Sequence, residues 1–150
     1  MHDFSFKRGK LYCENVSVAS LAKKHGSPLY VYSHATLTRN FRQLDAALSP
    51  VDHTIHFAVK ANSNLGVLRT LANAGSGFDI VSGGELQRVI AAGGDPSKCV
   101  FAGVGKTEED IELALKKNIY AFTAESEPEL IRINQIARRL KKKAPIAVRV

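Results

Sequence analysis

The chain has 150 residues, 45% of them apolar, an ordinary globular composition with enough greasy surface for one sizeable core. Twenty-one Lys and Arg against 14 Asp and Glu give a net charge of +7. That charge suits an anionic cofactor, but with no aromatic residues interleaved among the cations and no recognisable nucleic-acid module it argues against nucleic acid as a partner. No run approaches ~18 consecutive apolar residues and no charged, apolar leader opens the chain, so a soluble, cytoplasmic protein without a membrane partner is expected.

In chain order, "DFSFKRGKLYCEN" (3–15) alternates apolar and polar residues around Arg8-Gly9, the pattern of a β-hairpin. "SVASLAKKHG" (17–26) reads as a helix with Ser17 as N-cap and Gly26 as terminator, and "PLYVYS" (28–33) as a strand. From Ser33 the spacing of Leu37, Phe41, Leu44 and Leu48 marks an amphipathic helix that stops before Pro50. Five further strand-like runs follow: "TIHFAVK" (54–60), "FDIVS" (78–82), "CVFAG" (99–103), "IYAFTAE" (119–125) and "IAVRV" (146–150). Helical patterns separate them, with starts signalled by the capping-box spacings Ser82-x-x-Glu85 and Ser126-x-x-Glu129 and by Thr107 before Glu108, Glu109 and Asp110. The cationic "RRLKKKAP" (138–145) closes the last of them as a solvated helix end. Strict alternation of strand and helix implies a parallel sheet covered on both faces, either doubly wound or part of an eight-stranded barrel; periodicity does not choose between them.

Several motifs fail on inspection. "GVGKT" (103–107) lacks the glycine of a phosphate loop, since Val100 stands in its place, and "GSGFDI" (75–80) puts Ile80 where a dinucleotide fingerprint needs its third glycine. Cys13 and Cys99 have neither metal nor redox spacing and read as reduced structural thiols; the five histidines show no zinc pattern, and His53 and His56 read as structural.

One anomaly survives. "FAVKAN" (57–62) ends an apolar strand on Lys60, followed by the helix-capping set Asn62, Ser63 and Asn64, and the next strand carries Asp79 between Phe78 and Ile80. Three readings are open for Lys60: it snorkels outward from a strand end, it forms a plain ion pair with Asp79, or it is a nucleophilic amine whose pKa is lowered by partial burial. Its place at the C-terminal end of a parallel strand, where ligands of α/β folds bind, favours the third.

Together "FAVKANSN" (57–64), "GSGFDIVSGGEL" (75–86), "FAGVGKTEEDI" (101–111) and "ESEPEL" (125–130) resemble the fold-III pyridoxal-phosphate-dependent decarboxylases, and within them the diaminopimelate-decarboxylating branch. The resemblance covers nearly the whole chain. It implies an α/β fold: residues 1–26 as an N-terminal segment of a separate β-domain, and 27–150 as the first part of a pyridoxal-phosphate-binding (β/α)8 TIM barrel. It also implies Lys60 as the covalent anchor of pyridoxal 5'-phosphate, Asp79 as the carboxylate beside it, and Glu85 and Arg149 as further cofactor-binding residues. For Glu85 a capping role, and for Arg149 a structural ion pair, are sufficient alternatives. The implied reaction is decarboxylation of meso-2,6-diaminopimelate to L-lysine by a homodimer acting on a small amino-acid substrate. Related decarboxylases of arginine, ornithine or carboxynorspermidine, and a non-catalytic homologue that binds a protein partner, are the alternatives. The stacking histidine, the phosphate-binding glycine loop and the substrate-binding residues of that family match nothing in this sequence, so the 150 residues by themselves are expected to be catalytically weak or inactive.

Overall fold

A computed structural model describes residues 2–150, which form two compact units, 2–51 and 52–150. Within the first unit the second helix is tied to the hairpin by hydrogen bonds.

In the first unit, β1 (Phe4–Lys7), β2 (Lys10–Cys13) and β3 (Val16–Ser17) form an antiparallel sheet in that order. The turn between β1 and β2 places Arg8 and Gly9 at φ 50° and 74°, the paired left-handed conformations that a two-residue hairpin with right-handed strand twist requires. α1 (Val18–His25) starts where the Ser17 side chain accepts from Ser20 N–H and stops at Gly26, and α2 (His34–Leu48) starts where Ser33 accepts from Thr36 N–H. Glu14 draws the start of α2 to the sheet, its Oε1 accepting from Ser33 Oγ at 2.7 Å and from Ala35 N–H at 3.0 Å. Those two bonds, the Ala35 amide first, hold the Glu14 carboxyl below its ordinary range. Asp3 binds the same helix through Thr36 Oγ1 at 2.7 Å and Arg39 at 2.8 Å. The strand expected at "PLYVYS" is not formed: residues 28–33 join no sheet, and Tyr30 is 86% exposed. Aromatic and β-branched residues favour a strand only where a neighbouring strand accepts their backbone groups.

The second unit is a five-stranded parallel sheet in the order β4 (His56–Ala58), β5 (Gly77–Ile80), β6 (Cys99–Phe101), β7 (Ala121–Ala124), β8 (Ile146–Val148). The connecting helices are α3 (Leu65–Ala74), α4 (Gly83–Ala91), α5 (Glu108–Lys116) and α6 (Glu127–Arg139). A doubly wound sheet reverses its strand order partway; this one does not, and right-handed crossovers in a single direction put every helix on the same face. Burial follows that rule. Phe78, Ile80, Cys99, Phe101 and Phe122 face the helices and are fully enclosed with Leu68, Leu86, Val89 and Ile111, while Asp79, Val100 and Thr123, one residue out of phase, are only part-buried. The expected cover on both faces is therefore one-sided within this unit.

The strands are shorter than the sequence reading expects, and one capping box is not formed. The strand expected over 54–60 ends at Ala58, and Val59–Ala61 form a single 3-10 turn with Val59 as its buried member. The box at Ser126 and Glu129 does not close, since the Ser126 side chain makes no capping bond and Glu129 is engaged elsewhere. Cys13 and Cys99 are buried free thiols; burial, and then the nearby Asp95 charge, pushes Cys99 up to about 12.

Candidate functional site

The C-terminal ends of β4 to β8 form one rim, and the loops leading into the helices carry its polar groups. Lys60 sits two residues past β4 in the 3-10 turn, and its ammonium lies 3.6 Å from Asp79 Oδ2 on the neighbouring strand. The register that pairs Ala58 with Asp79 brings them together. The expected burial of Lys60 is not found: its side chain is 58% exposed, and that of Asp79 28%. Leaving the strand two residues early turns the amine out of the apolar layer toward the open face, where it is accessible to a reactant and still held beside a carboxylate. The loop after it is fixed by Asn62 Oδ1 accepting from Asn64 N–H and Asn64 Oδ1 accepting from Gly66 N–H, the latter capping α3.

Glu85 is in the first turn of α4. Its backbone N–H donates to Ser82 Oγ, while its carboxylate reaches past the N-cap to accept from Val81 N–H at 2.8 Å. The carboxylate therefore holds the end of β5, and nothing in the structure brings it to Lys60. Arg149 lies just beyond β8, its N–H still bonded to Ala124 C=O, and its guanidinium stands 3.9 Å from Glu125 Oε1. It is at the strand end and mostly exposed, not mid-strand.

The sequence reading missed Lys106. Dismissed with the failed phosphate-loop motif, it is in fact the most enclosed cation among the described residues, with none of its side chain exposed. Its three ammonium protons are used in full: Gly103 C=O at 2.7 Å, Thr123 C=O at 2.8 Å and Glu129 Oε1 at 2.8 Å. Glu129 Oε2 accepts from Glu125 N–H at 2.7 Å, and Glu125 Oε1 accepts from Gly103 N–H at 3.0 Å. A lone lysine in a Gly-rich loop carries no periodic signal; the only hint was a carboxylate, Glu129, on the otherwise apolar inner stripe of α6.

The rim suits one end of pyridoxal phosphate and not the other. It offers an accessible primary amine beside a carboxylate, the donor set that an aldehyde-bearing cofactor needs. Its loop amides are occupied, Val81 by Glu85, Gly83 by Asp110, Gly103 by Glu125 and Glu125 by Glu129, so they are not free to hold a phosphate dianion. Among the described residues, no group of three His, Cys, Asp or Glu side chains gathers to hold a metal ion, and no helix is long and apolar enough to cross a membrane.

The chain is 58% identical over 142 residues to a diaminopimelate decarboxylase of Vibrio cholerae, covering 95% of this chain and 34% of that protein. It is 54% identical over 150 residues to one of Haemophilus influenzae, covering all of this chain and 36% of that protein. The crystal structure of the diaminopimelate decarboxylase from M. jannaschi superposes with a TM-score of 0.93 at 35% identity, over 99% of this chain and 36% of that one. The chain therefore spans about a third of the length of the relatives it matches. The family model for the pyridoxal-dependent decarboxylases, pyridoxal binding domain, matches from residue 34 to residue 150, so with a lysine presented at an open strand rim and a sheet wound in one direction, this chain belongs to that family.

Proposed function

We propose that this chain supplies the lysine-bearing part of a pyridoxal-phosphate-dependent decarboxylase that converts meso-2,6-diaminopimelate to L-lysine and carbon dioxide. The observation that carries the proposal is Lys60, whose amine stands 3.6 Å from Asp79 at the exposed C-terminal rim of a parallel sheet. In this reading Lys60 anchors the cofactor covalently and Asp79 orients the amine and balances its charge. Arg149 reaches the cofactor ring from the far side of the rim, and Glu85 holds the end of β5 so that Asp79 keeps its place. Pyridoxal phosphate supplies the electron sink that makes loss of a carboxylate from an amino acid feasible. The protein residues hold the breaking bond in position, and the departing carboxyl group is replaced on carbon by a proton.

In this reading residues 27–150 are the first part of a (β/α)8 barrel, and the one-directional strand order of 52–150 supports it. Residues 1–26 belong to a separate β-domain. The active form is a cytoplasmic homodimer, and the phosphate and the substrate side chain are held by segments other than this rim, so the 150 residues alone turn over no substrate.

The test is titration with pyridoxal phosphate followed by borohydride and peptide mapping. The cofactor is expected fixed on Lys60, and Lys60→Ala should abolish the label. A label that persists in Lys60→Ala assigns the wrong lysine. Substrate identity is read from carbon dioxide release by the whole natural polypeptide that carries this sequence, with meso-diaminopimelate preferred; faster release from arginine or ornithine overturns the substrate.

A further inference from the structure

A fully buried lysine bonded to a buried glutamate is an uneconomical way to stabilise a fold, because apolar residues of similar volume usually do as well. What such a pair does supply is fixed geometry. Lys106 joins the end of β6 through Gly103 C=O, the end of β7 through Thr123 C=O, and the first turn of α6 through Glu129. Gly103, in the left-handed region at φ 86°, is gripped from both sides, its carbonyl by Lys106 and its amide by Glu125. Glu125 is gripped twice as well, its own amide by Glu129 and its carboxylate by Gly103. The same carboxylate oxygen that accepts from Gly103 N–H is the one that faces the Arg149 guanidinium.

We propose that Lys106 and Glu129 are positioning residues for the cofactor rim, fixing the Glu125 carboxylate and through it the direction in which Arg149 points. This rests on the reading that Arg149 faces the cofactor. The linkage runs from a group sealed off from solvent to one that is mostly exposed, so the exposed arginine, which has no burial to restrain it, takes its orientation from a carboxylate held by the Gly103 amide.

The test is a double-mutant cycle in the whole natural polypeptide, read as affinity for pyridoxal phosphate by absorbance titration and as the melting temperature without cofactor. Arg149→Ala is expected to weaken cofactor binding about tenfold, and Lys106→Met to weaken it by a similar factor in the parent but less than about twofold in the Arg149→Ala background. The melting temperature should fall equally in both backgrounds, because the structural cost of losing Lys106 does not depend on Arg149. If Lys106→Met does not fold, Glu125→Gln runs the same cycle, keeping an acceptor for Gly103 N–H while removing the charge that faces Arg149. Effects on affinity that multiply independently overturn the inference and leave the lysine anchor intact. An Arg149→Ala protein that binds the cofactor normally removes both the inference and the role proposed for Arg149. Failure of borohydride labelling at Lys60 overturns the functional reading itself.

Discussion

The Lys106–Glu129 pair makes a sharp stability prediction. In Lys106→Met the Glu129 carboxylate stays almost fully buried with only the Glu125 amide to satisfy it, and the carbonyls of Gly103 and Thr123 lose their donor. Breaking a buried pair by removing one partner costs about 3–5 kcal/mol. Glu129→Leu strands the ammonium instead, and also leaves Glu125 N–H without an acceptor, so its cost is at least as large. The double variant Lys106→Met/Glu129→Leu contains no buried charge. It leaves the two carbonyls and the Glu125 amide unpaired, but it replaces charged groups by apolar ones of similar size. Its expected cost is therefore about that of one single variant, well below the sum, a coupling of roughly 3 kcal/mol. Urea denaturation of the whole natural polypeptide, with the four proteins compared at equal m, measures it. Each single change should remove a large share of the 5–15 kcal/mol typical of a domain, by order of magnitude about half. Single variants that each cost less than about 1 kcal/mol would refute the reasoning, because only a solvated pair behaves that way. A strictly additive double variant would refute it as well.

Three further outcomes are expected. Gly77→Ala should destabilise by about 1–3 kcal/mol in the same denaturation assay, because its new Cβ would stand 2.6 Å from Lys98 C=O and 2.9 Å from the His56 ring; an unchanged midpoint would show that these contacts of β5 with the residues flanking it relax freely. Glu14, whose carboxyl is held below its ordinary value of 4.5 by the Ala35 amide and then Ser33, contributes stability that is present above that value and is lost as pH falls through its lowered folded value. Glu14→Gln should therefore flatten the acid limb of a pH-dependent melting curve, and an unchanged limb would contradict the cap. Cys99, with a thiol pushed up to about 12 by burial, should resist a disulfide-exchange reagent at pH 8 until the protein unfolds, and rapid labelling of Cys99 in the folded protein would contradict its enclosure.

How much of this could be read from residues alone depended on whether the deciding contact was local. Caps were legible: Ser17, Ser82 and Thr107 each accept the bond that their spacing announced, because the donor lies three residues away. The juxtaposition of Lys60 and Asp79 was legible too, since adjacent parallel strands with short connections pair in sequence. "PLYVYS" misled because its composition describes a strand while the partner that would make it one is not supplied by the chain's own sheets. Ser126 and Glu129 misled because the spacing fits a box, yet Glu129 finds in Lys106, 23 residues away, a stronger donor than the N-cap amide. The same long-range pairing hid Lys106, whose neighbours Gly105 and Thr107 belong to an exposed loop.

The one-directional winding of the second unit also bears on how it is made. Phe57 pairs with Phe78, Phe78 with Cys99, Phe101 with Phe122 and Phe122 with Ile146, so each strand's partner is the strand synthesised just before it. No strand must wait for a distant one, and loop-closure entropy stays small at every step. A chain emerging from the ribosome can thus extend its sheet one βα unit at a time, with the growing edge always at the newest strand. At a pause in translation after any helix, no strand already made would be waiting for a partner other than its neighbours in sequence.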